Sequence, residues 1–218
     1  MPAAARRRQP RLDGAVVVKL GGSLIESPHL SAWLTQLAAS RGRAILVAGG
    51  GPFADAVRIA QRQRPFADKA AHLMAILAME QYAVMLAALE PGLRPAASRA
   101  AIEASRREGV TPVWLPSRMT AGAPDIPESW EVTSDSLAVW LARKLGVSRV
   151  LLVKSAALPA GTASAVGLAK AGIVDPLLPR FLAGSGIECR CIEAAGAADF
   201  AAALAAGRLA GTLLGGND

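Results

Sequence analysis

Residues 15–24 read AVVVKLGGSL, and the reading of that run decides the fold. From Ala15 to Leu20 it is apolar and of strand length, interrupted by one charge at Lys19. Gly21, Gly22 and Ser23 follow with no spacer. A strand end and a tight turn account for the pattern structurally. A phosphate site accounts for it chemically: consecutive glycines let backbone N–H groups converge on an oxyanion, and a lysine supplies the counter-charge. The run alone leaves both readings open, and the surrounding sequence has to separate them.

Outward from this run the chain alternates between strand-like and helix-like segments. Ser27 and Pro28 offer a cap and a first-turn proline, and Leu30, Trp33, Leu34 and Leu37 recur at helical spacing up to Gly42. RAILVA (43–48) predicts a buried strand that ends in Gly49-Gly50-Gly51 and feeds another helix. The Ala-, Leu- and Met-rich residues 67–89 predict one or two helices. LRPAAS (93–98) and TPVWLP (111–116) predict short strands around a helix at RAAIEASRREG (99–109), and 116–131 reads as a loop. SDSLAVWLARKLG (134–146) predicts a helix capped by Thr133 or Ser134, and SRVLLVK (148–154) a strand. Residues 155–172 read as a flexible loop. A short helix (175–186), a strand (187–193), a helix (197–207) and a last strand (211–216) complete the order. Strands joined through helices imply a mostly parallel sheet covered on both faces, an α/β/α three-layer sandwich. Residues 1–13 predict a basic, flexible tail, and 14–218 a single domain.

Composition narrows the function classes. Hydrophobic residues make up 52% and charged residues 19%, which excludes disorder for most of the chain. Apolar stretches look too interrupted for a membrane span. The net charge of +7 invites a nucleic-acid reading, but Arg6, Arg7, Arg8 and Arg11 sit together in the tail. The remaining 20 basic and 17 acidic residues leave only +3, and aromatic residues for stacking are few. No nucleic-acid or membrane partner is therefore expected. Asp13 and Lys19 interrupt any signal-peptide core. Cys189 and Cys191 are spaced as neither a zinc nor a redox motif, and read as small core residues of one strand face. A reducing cytoplasm is the simplest expectation.

In parallel sheets, ligands sit at the carboxyl ends of strands, where glycine turns enter helices. Gly21-Gly22 and Gly49-Gly50-Gly51 are two such turns. Neither belongs to a P-loop or a dinucleotide fingerprint, since the required spacings are missing. With only His29 and His72 in the chain, a histidine general base is poorly supplied. His29 reads as a surface residue and His72 as packing. A third constellation is WEVTSDSLAVWLARKLG (130–146), where Asp135 stands between two serines at a helix start. It caps the helix, or it faces the same cleft and holds a lysine by charge.

Together, VVVKLGGSL, AILVAGGGPFAD, WEVTSDSLAVWLARKLGVSRVLLV and the closing GRLAGTLL resemble the amino acid kinase family, in the family's order. Within it, GGGPFADAVR, HLMAILAMEQYAVML and W-x-V-T-S-D-S are most similar to the methanofuran-pathway kinases, which phosphorylate a furanmethyl phosphate. The resemblance implies ATP as donor, Mg²⁺ held through the nucleotide phosphates with no protein metal site, a small-molecule phosphate acceptor, and a homo-oligomer. It makes Lys19 the lysine on the transferring phosphoryl group and Asp135 the organiser of the catalytic lysines. Gly21, Gly22 and Ser23, with Ser134, match the donor-phosphate side, and Gly49, Gly50 and Gly51, with Asp55, the acceptor side. Arg58, two helical turns beyond Gly51, is added on charge grounds as a contact for the acceptor phosphate.

The chain departs from the family after RVLLV. Where Thr-Asp-x-x-Gly is usual, it has Lys154-Ser155-Ala156-Ala157-Leu158. The second catalytic lysine is then either Lys170, on the following loop, or Lys154 itself. The expected activity is transfer of the γ-phosphoryl group to a phosphate monoester. The alternatives are a carboxylate or nucleoside monophosphate acceptor, and a non-catalytic protein that binds a nucleotide or oxyanion.

Overall fold

A computed structural model describes Leu12 and residues 14–215; the basic tail expected over 1–13 lies outside them except for Leu12. The first half runs β1 (Val16–Leu20), a 3₁₀ turn (Gly22–Glu26), α1 (Leu30–Ala39), β2 (Ala44–Ala48), α2 (Gly51–Gln63), α3 (Asp68–Leu89), β3 (Leu93–Ala96), α4 (Arg99–Arg107), β4 (Thr111–Trp114) and α5 (Ser117–Thr120). The second half runs α6 (Ser134–Leu145), β5 (Arg149–Lys154), β6 (Thr162–Ser164), α7 (Ala165–Lys170), α8 (Leu178–Leu182), β7 (Glu188–Glu193), α9 (Ala197–Ala205) and β8 (Thr212–Gly215). Among the described residues the strands form one sheet in the order β3-β4-β2-β1-β5-β7-β8-β6. Pairing is parallel except between β7 and β8. Pro95 is tolerated in β3 because that strand is an edge.

The central strands are buried on both faces, and their side chains alternate between two cores. Val17, Ile45, Val47, Val150 and Leu152 pack with α6 and with Cys189 and Cys191 of β7. Val16, Val18, Leu46, Leu151 and Val153 pack on the other side with α1, α9 and the inner face of α3. The period-2 alternation thus builds the three expected layers.

Several segments differ from the sequence expectation. The stretch 155–172 carries an edge strand and a helix, β6 and α7, where Ser164 caps α7 by accepting from Gly167 N–H. The loop 116–131 contains the short α5. Helix α1 starts at Leu30 with His29 at its cap position, two residues later than Ser27 and Pro28 suggest. Helix α3 is 22 residues long with a hydropathy of 1.5 over its most apolar window, enough by length and composition to cross a membrane. In this fold it packs its Ile76, Met79, Tyr82, Ala83 and Leu86 inward, a layer helix of the sandwich.

Candidate active site

The strand register explains how the charged groups meet. Lys19 lies opposite Leu152 across the β1–β5 pair, so Lys154 stands two residues nearer the carboxyl edge on the adjacent strand. Lys19 shares the face of Val17, and Lys154 the face of Leu152, because side chains repeat every second residue. Both lysines therefore rise on the face that α6 covers. The first turn of α6 places Asp135 there, with Lys19 Nζ 2.8 Å from its Oδ1 and Lys154 Nζ 2.5 Å from its Oδ2. The three residues are 6%, 8% and 3% exposed for Lys19, Lys154 and Asp135, so the pairs are shielded from solvent.

Burial raises the Asp135 pKa, but the two ammonium groups outweigh it and bring the group down to about 2. Burial likewise opposes the charge of Lys19, yet Asp135 wins and its pKa rises. Lys154 moves the other way: burial and the charge of Lys19 lower its pKa against the pull of Asp135. One carboxylate thus holds two ammoniums, and Lys154 is the more easily neutralised.

The two glycine turns lie side by side because β1 and β2 pair in parallel, with Leu20 opposite Ala48. Their backbones touch. A Cβ on Gly22 would sit 2.3 Å from Gly51 N, and one on Gly49 would sit 2.5 Å from Gly22 N. Gly51 adopts φ +53°, a left-handed conformation that side chains disfavour. The packed turns present backbone toward a cavity of about 500 Å³, into which the N-termini of α2 and α6 also open through Gly51, Pro52 and Ser134. Such helix ends carry unpaired N–H groups and positive dipole, a setting for an anion.

The cavity has a polar end and an apolar wall. Lys19, Gly22, Ser23, Gly50, Gly51 and Ser134 line the first, and Ile76, Met79, Val132 and Leu137 belong to the second. Arg58 and Asp55 stand at its border, joined by an ion pair of 3.0 Å, and the Arg58 guanidinium lies 4.4 Å over the Trp130 ring. Trp130 is fixed by donating to Gln61 Oε1 at 2.7 Å. His72 also lines the cavity while its Nδ1 lies 3.3 Å from Ser129 O, so it binds the loop that closes over the site. Gly21 and Gly49 shape the turns without lining the cavity.

The structure therefore brings Lys19, Asp135, Lys154, Ser23, Ser134 and the glycine turns together at one sheet edge. Lys170 is not among them: it is exposed at the end of α7, beside the edge strand β6. The loop Ser155–Leu158 instead links to the first turn through a 2.8 Å hydrogen bond between the Ser23 and Ser155 hydroxyls. Glu193 Oε1 pins its far end by accepting from Leu158 N–H. On that side a second cavity of about 400 Å³ is lined by Leu158, Gly161, Ile192, Asp199 and Gly211. Trp130, Met79 and Asp175 escaped the sequence reading. Trp130 was readable only as the start of a motif, Met79 as helix core, and Asp175 as the start of a short helix.

The expected cap of α6 is also different. Neither Thr133 nor Ser134 caps it by side chain. Asp175, from the segment between α7 and α8, accepts from Thr133 N–H and Ser136 N–H at 2.9 Å each.

Comparison with known proteins places this architecture. The sequence model of the amino acid kinase family matches residues 14–157. A [5-(aminomethyl)furan-3-yl]methyl phosphate kinase of Methanocaldococcus jannaschii is 25% identical over 138 residues, 62% of this chain and 63% of that relative's length. The fold is similar to that of the uridylate kinase of Archaeoglobus fulgidus, with a TM-score of 0.68 at 17% identity over 92% of this chain and all of the other. An isopentenyl phosphate kinase structure matches with a TM-score of 0.60 at 18% identity, again over 92% and 100%.

Proposed function

This chain belongs to the amino acid kinase family, and on that premise we propose that it is an ATP-dependent kinase whose acceptor is a phosphate monoester. The observation that carries the reading is the Asp135 carboxylate held between Lys19 and Lys154 beside two interlocked glycine turns. Phosphoryl transfer asks the protein for positioning and positive charge, with little covalent help. Lys19 and the backbone of the Gly22 and Gly51 turns supply both at the cavity's polar end. Lys154 adds its charge from the neighbouring strand, and Asp135 keeps the two ammoniums in register.

ATP fits the described residues on one physical ground: the Gly22 and Gly51 turns, packed too closely for a Cβ between them, line the cavity beside the Lys19 ammonium, a setting for phosphate. The second cavity, across β5 from the first, is where its nucleoside would lie in this reading. Mg²⁺ would be held through the nucleotide phosphates and neutralise charge there. Among the described residues no three His, Cys, Asp or Glu side chains cluster as ligands.

On the acceptor side, Arg58 faces the substrate phosphate, steadied by Asp55 and Trp130. An oxygen of that phosphate, ionised at neutral pH, attacks the γ-phosphorus while the bond to the ADP oxygen breaks, giving ADP and a diphosphate. No general base is required, because the attacking oxygen already carries its charge. The apolar wall suits a small acceptor with an apolar or aromatic body. The relative from Methanocaldococcus jannaschii favours [5-(aminomethyl)furan-3-yl]methyl phosphate, and with it a place in methanofuran-type one-carbon carrier synthesis in the cytoplasm.

Assembly belongs to the same reading. Helix α3 leaves Leu73, Met74, Leu77 and Val84 exposed on its outer face, and Ile59 of α2 is exposed as well. A helix apolar on both faces is normally covered, and we assign a second copy of this chain to that face.

The test is ADP formation with ATP, Mg²⁺ and a panel holding the furanmethyl phosphate, UMP and isopentenyl phosphate. Turnover with the furanmethyl phosphate well above the others is expected. Turnover with UMP alone would move the protein to a nucleotide acceptor. ATP binding without ADP formation on any acceptor would leave only a nucleotide-binding protein.

A further inference from the structure

Helix α6 carries Asp135 in its first turn, yet no side chain of its own caps it. In the usual capping box two side chains share the work: the cap residue takes the N–H three positions on, and that third residue returns to the cap residue's N–H. Here one distant carboxylate takes both. Asp175 Oδ2 accepts from Thr133 N–H, at the cap, and from Ser136 N–H, three residues on, each at 2.9 Å. Thr133 Oγ1 donates to Asp175 Oδ1 as well. In addition, Asp175 N–H lies 3.3 Å from Asp135 Oδ2, the oxygen that receives Lys154.

We propose that Asp175 is the positioning residue of this site, holding the start of α6 and, through its own N–H, the Asp135 carboxylate that carries both lysines. The inference rests on the phosphoryl-transfer reading above. Three features make it more than a helix cap. Asp175 is 7% exposed, so its bonds do not compete with water. Its neighbours Val174 and Leu178 are buried in the core under α6, so the segment cannot drift independently of that helix. Its charge completes a buried group of two ammoniums and two carboxylates, and it adds to the positive charge held on Lys19. A carboxylate oriented from three sides keeps the two ammoniums where a transferring phosphoryl group needs them, and a misplacement of about 1 Å there can cost about 100-fold in rate.

The experiment compares Asp175→Ala with Asp175→Asn, whose amide oxygen still accepts from both N–H groups. With ATP and the phosphate monoester, kcat of Asp175→Ala is expected to fall about 10–100-fold at unchanged KM for both substrates. Asp175→Asn is expected to recover most of that loss. A wild-type kcat in Asp175→Ala, or a loss confined to KM, overturns the proposal. Unfolding midpoints of Asp135→Asn, Asp175→Asn and the double variant need neither turnover nor a folded alanine variant. Non-additive shifts are expected, and additive ones overturn the coupling. A wild-type protein that forms no ADP with any monoester refutes the kinase reading separately, and the unfolding cycle still decides on Asp175.

Discussion

Replacing Asp135 by Asn removes one charge and almost no volume, so its consequences are electrostatic. In the native protein Lys19 Nζ and Lys154 Nζ lie 2.8 and 2.5 Å from the two carboxylate oxygens, all three groups being shielded from solvent. At an effective dielectric of about 20, each contact represents roughly 6 kcal/mol of attraction, most of it offset by desolvation. Removing one partner leaves the desolvation uncompensated, at a cost of about 3–5 kcal/mol. Asp175 still supports the charge on Lys19, whereas Lys154 loses its carboxylate and keeps a cationic neighbour. The cost therefore sits on Lys154. Urea unfolding of Asp135→Asn at pH 7 is expected to show a midpoint lower by about 1–2 M. Adding Lys154→Met, which removes the stranded cation at similar volume, is expected to restore most of it. A midpoint within about 0.2 M of wild type would refute the buried-charge account. A double variant no more stable than the single one would refute the assignment of the cost to Lys154.

Other expectations follow from the same geometry. The Asp135 pKa is depressed from 3.8 to about 2, so its proton-linked stability is fully present above pH 3.8 and is lost as pH falls through about 2. The stability gap between wild type and Asp135→Asn should accordingly shrink by about 2 kcal/mol over that window, in acid-dependent unfolding. Gly22→Ala puts a Cβ 2.3 Å from the backbone nitrogen of Gly51 and should abolish ATP binding in calorimetry, with a fall in melting temperature. Gly167→Ala, inside α7 with its nearest neighbour at 3.6 Å, should leave stability equal or raise it by up to about 1 kcal/mol. Arg58→Gln should raise KM for the phosphate acceptor about tenfold while KM for ATP holds, and equal changes in both would remove Arg58 from the acceptor side. Leu77→Glu with Val84→Glu should convert the proposed homo-oligomer to monomer in sedimentation, and a sedimentation profile equal to wild type would exclude the α3 face as its interface.

The elements of the sheet and the glycine turns were readable because their signals are local. Short apolar runs mark β1, β2 and β5, alternation of apolar and charged residues marks β7, and glycine clusters mark the turns after the first two. The segment 155–172 hid β6 and α7, since its Ala, Gly and Ser content reads as loop when the packing of Leu168 is unknown. Thr133 and Ser134 both looked like the α6 cap because each is a good capping residue in the right place. The tertiary structure supplies a stronger acceptor, Asp175, and the threonine hydroxyl donates to it instead.

Sequence by itself determined the layer order, the two glycine turns and the candidacy of Lys19 and Asp135, all through patterns that span a few residues. Only the tertiary structure showed that Lys154, and not Lys170, stands beside Lys19 and Asp135. The reason is register: with Lys19 opposite Leu152, the alternation of side chains brings Lys154 onto the face covered by α6, while Lys170 is carried to the far edge on α7. The same applies to Asp175, whose partners lie about forty residues away and become neighbours only when α8 packs under α6. No local pattern encodes a contact across that distance.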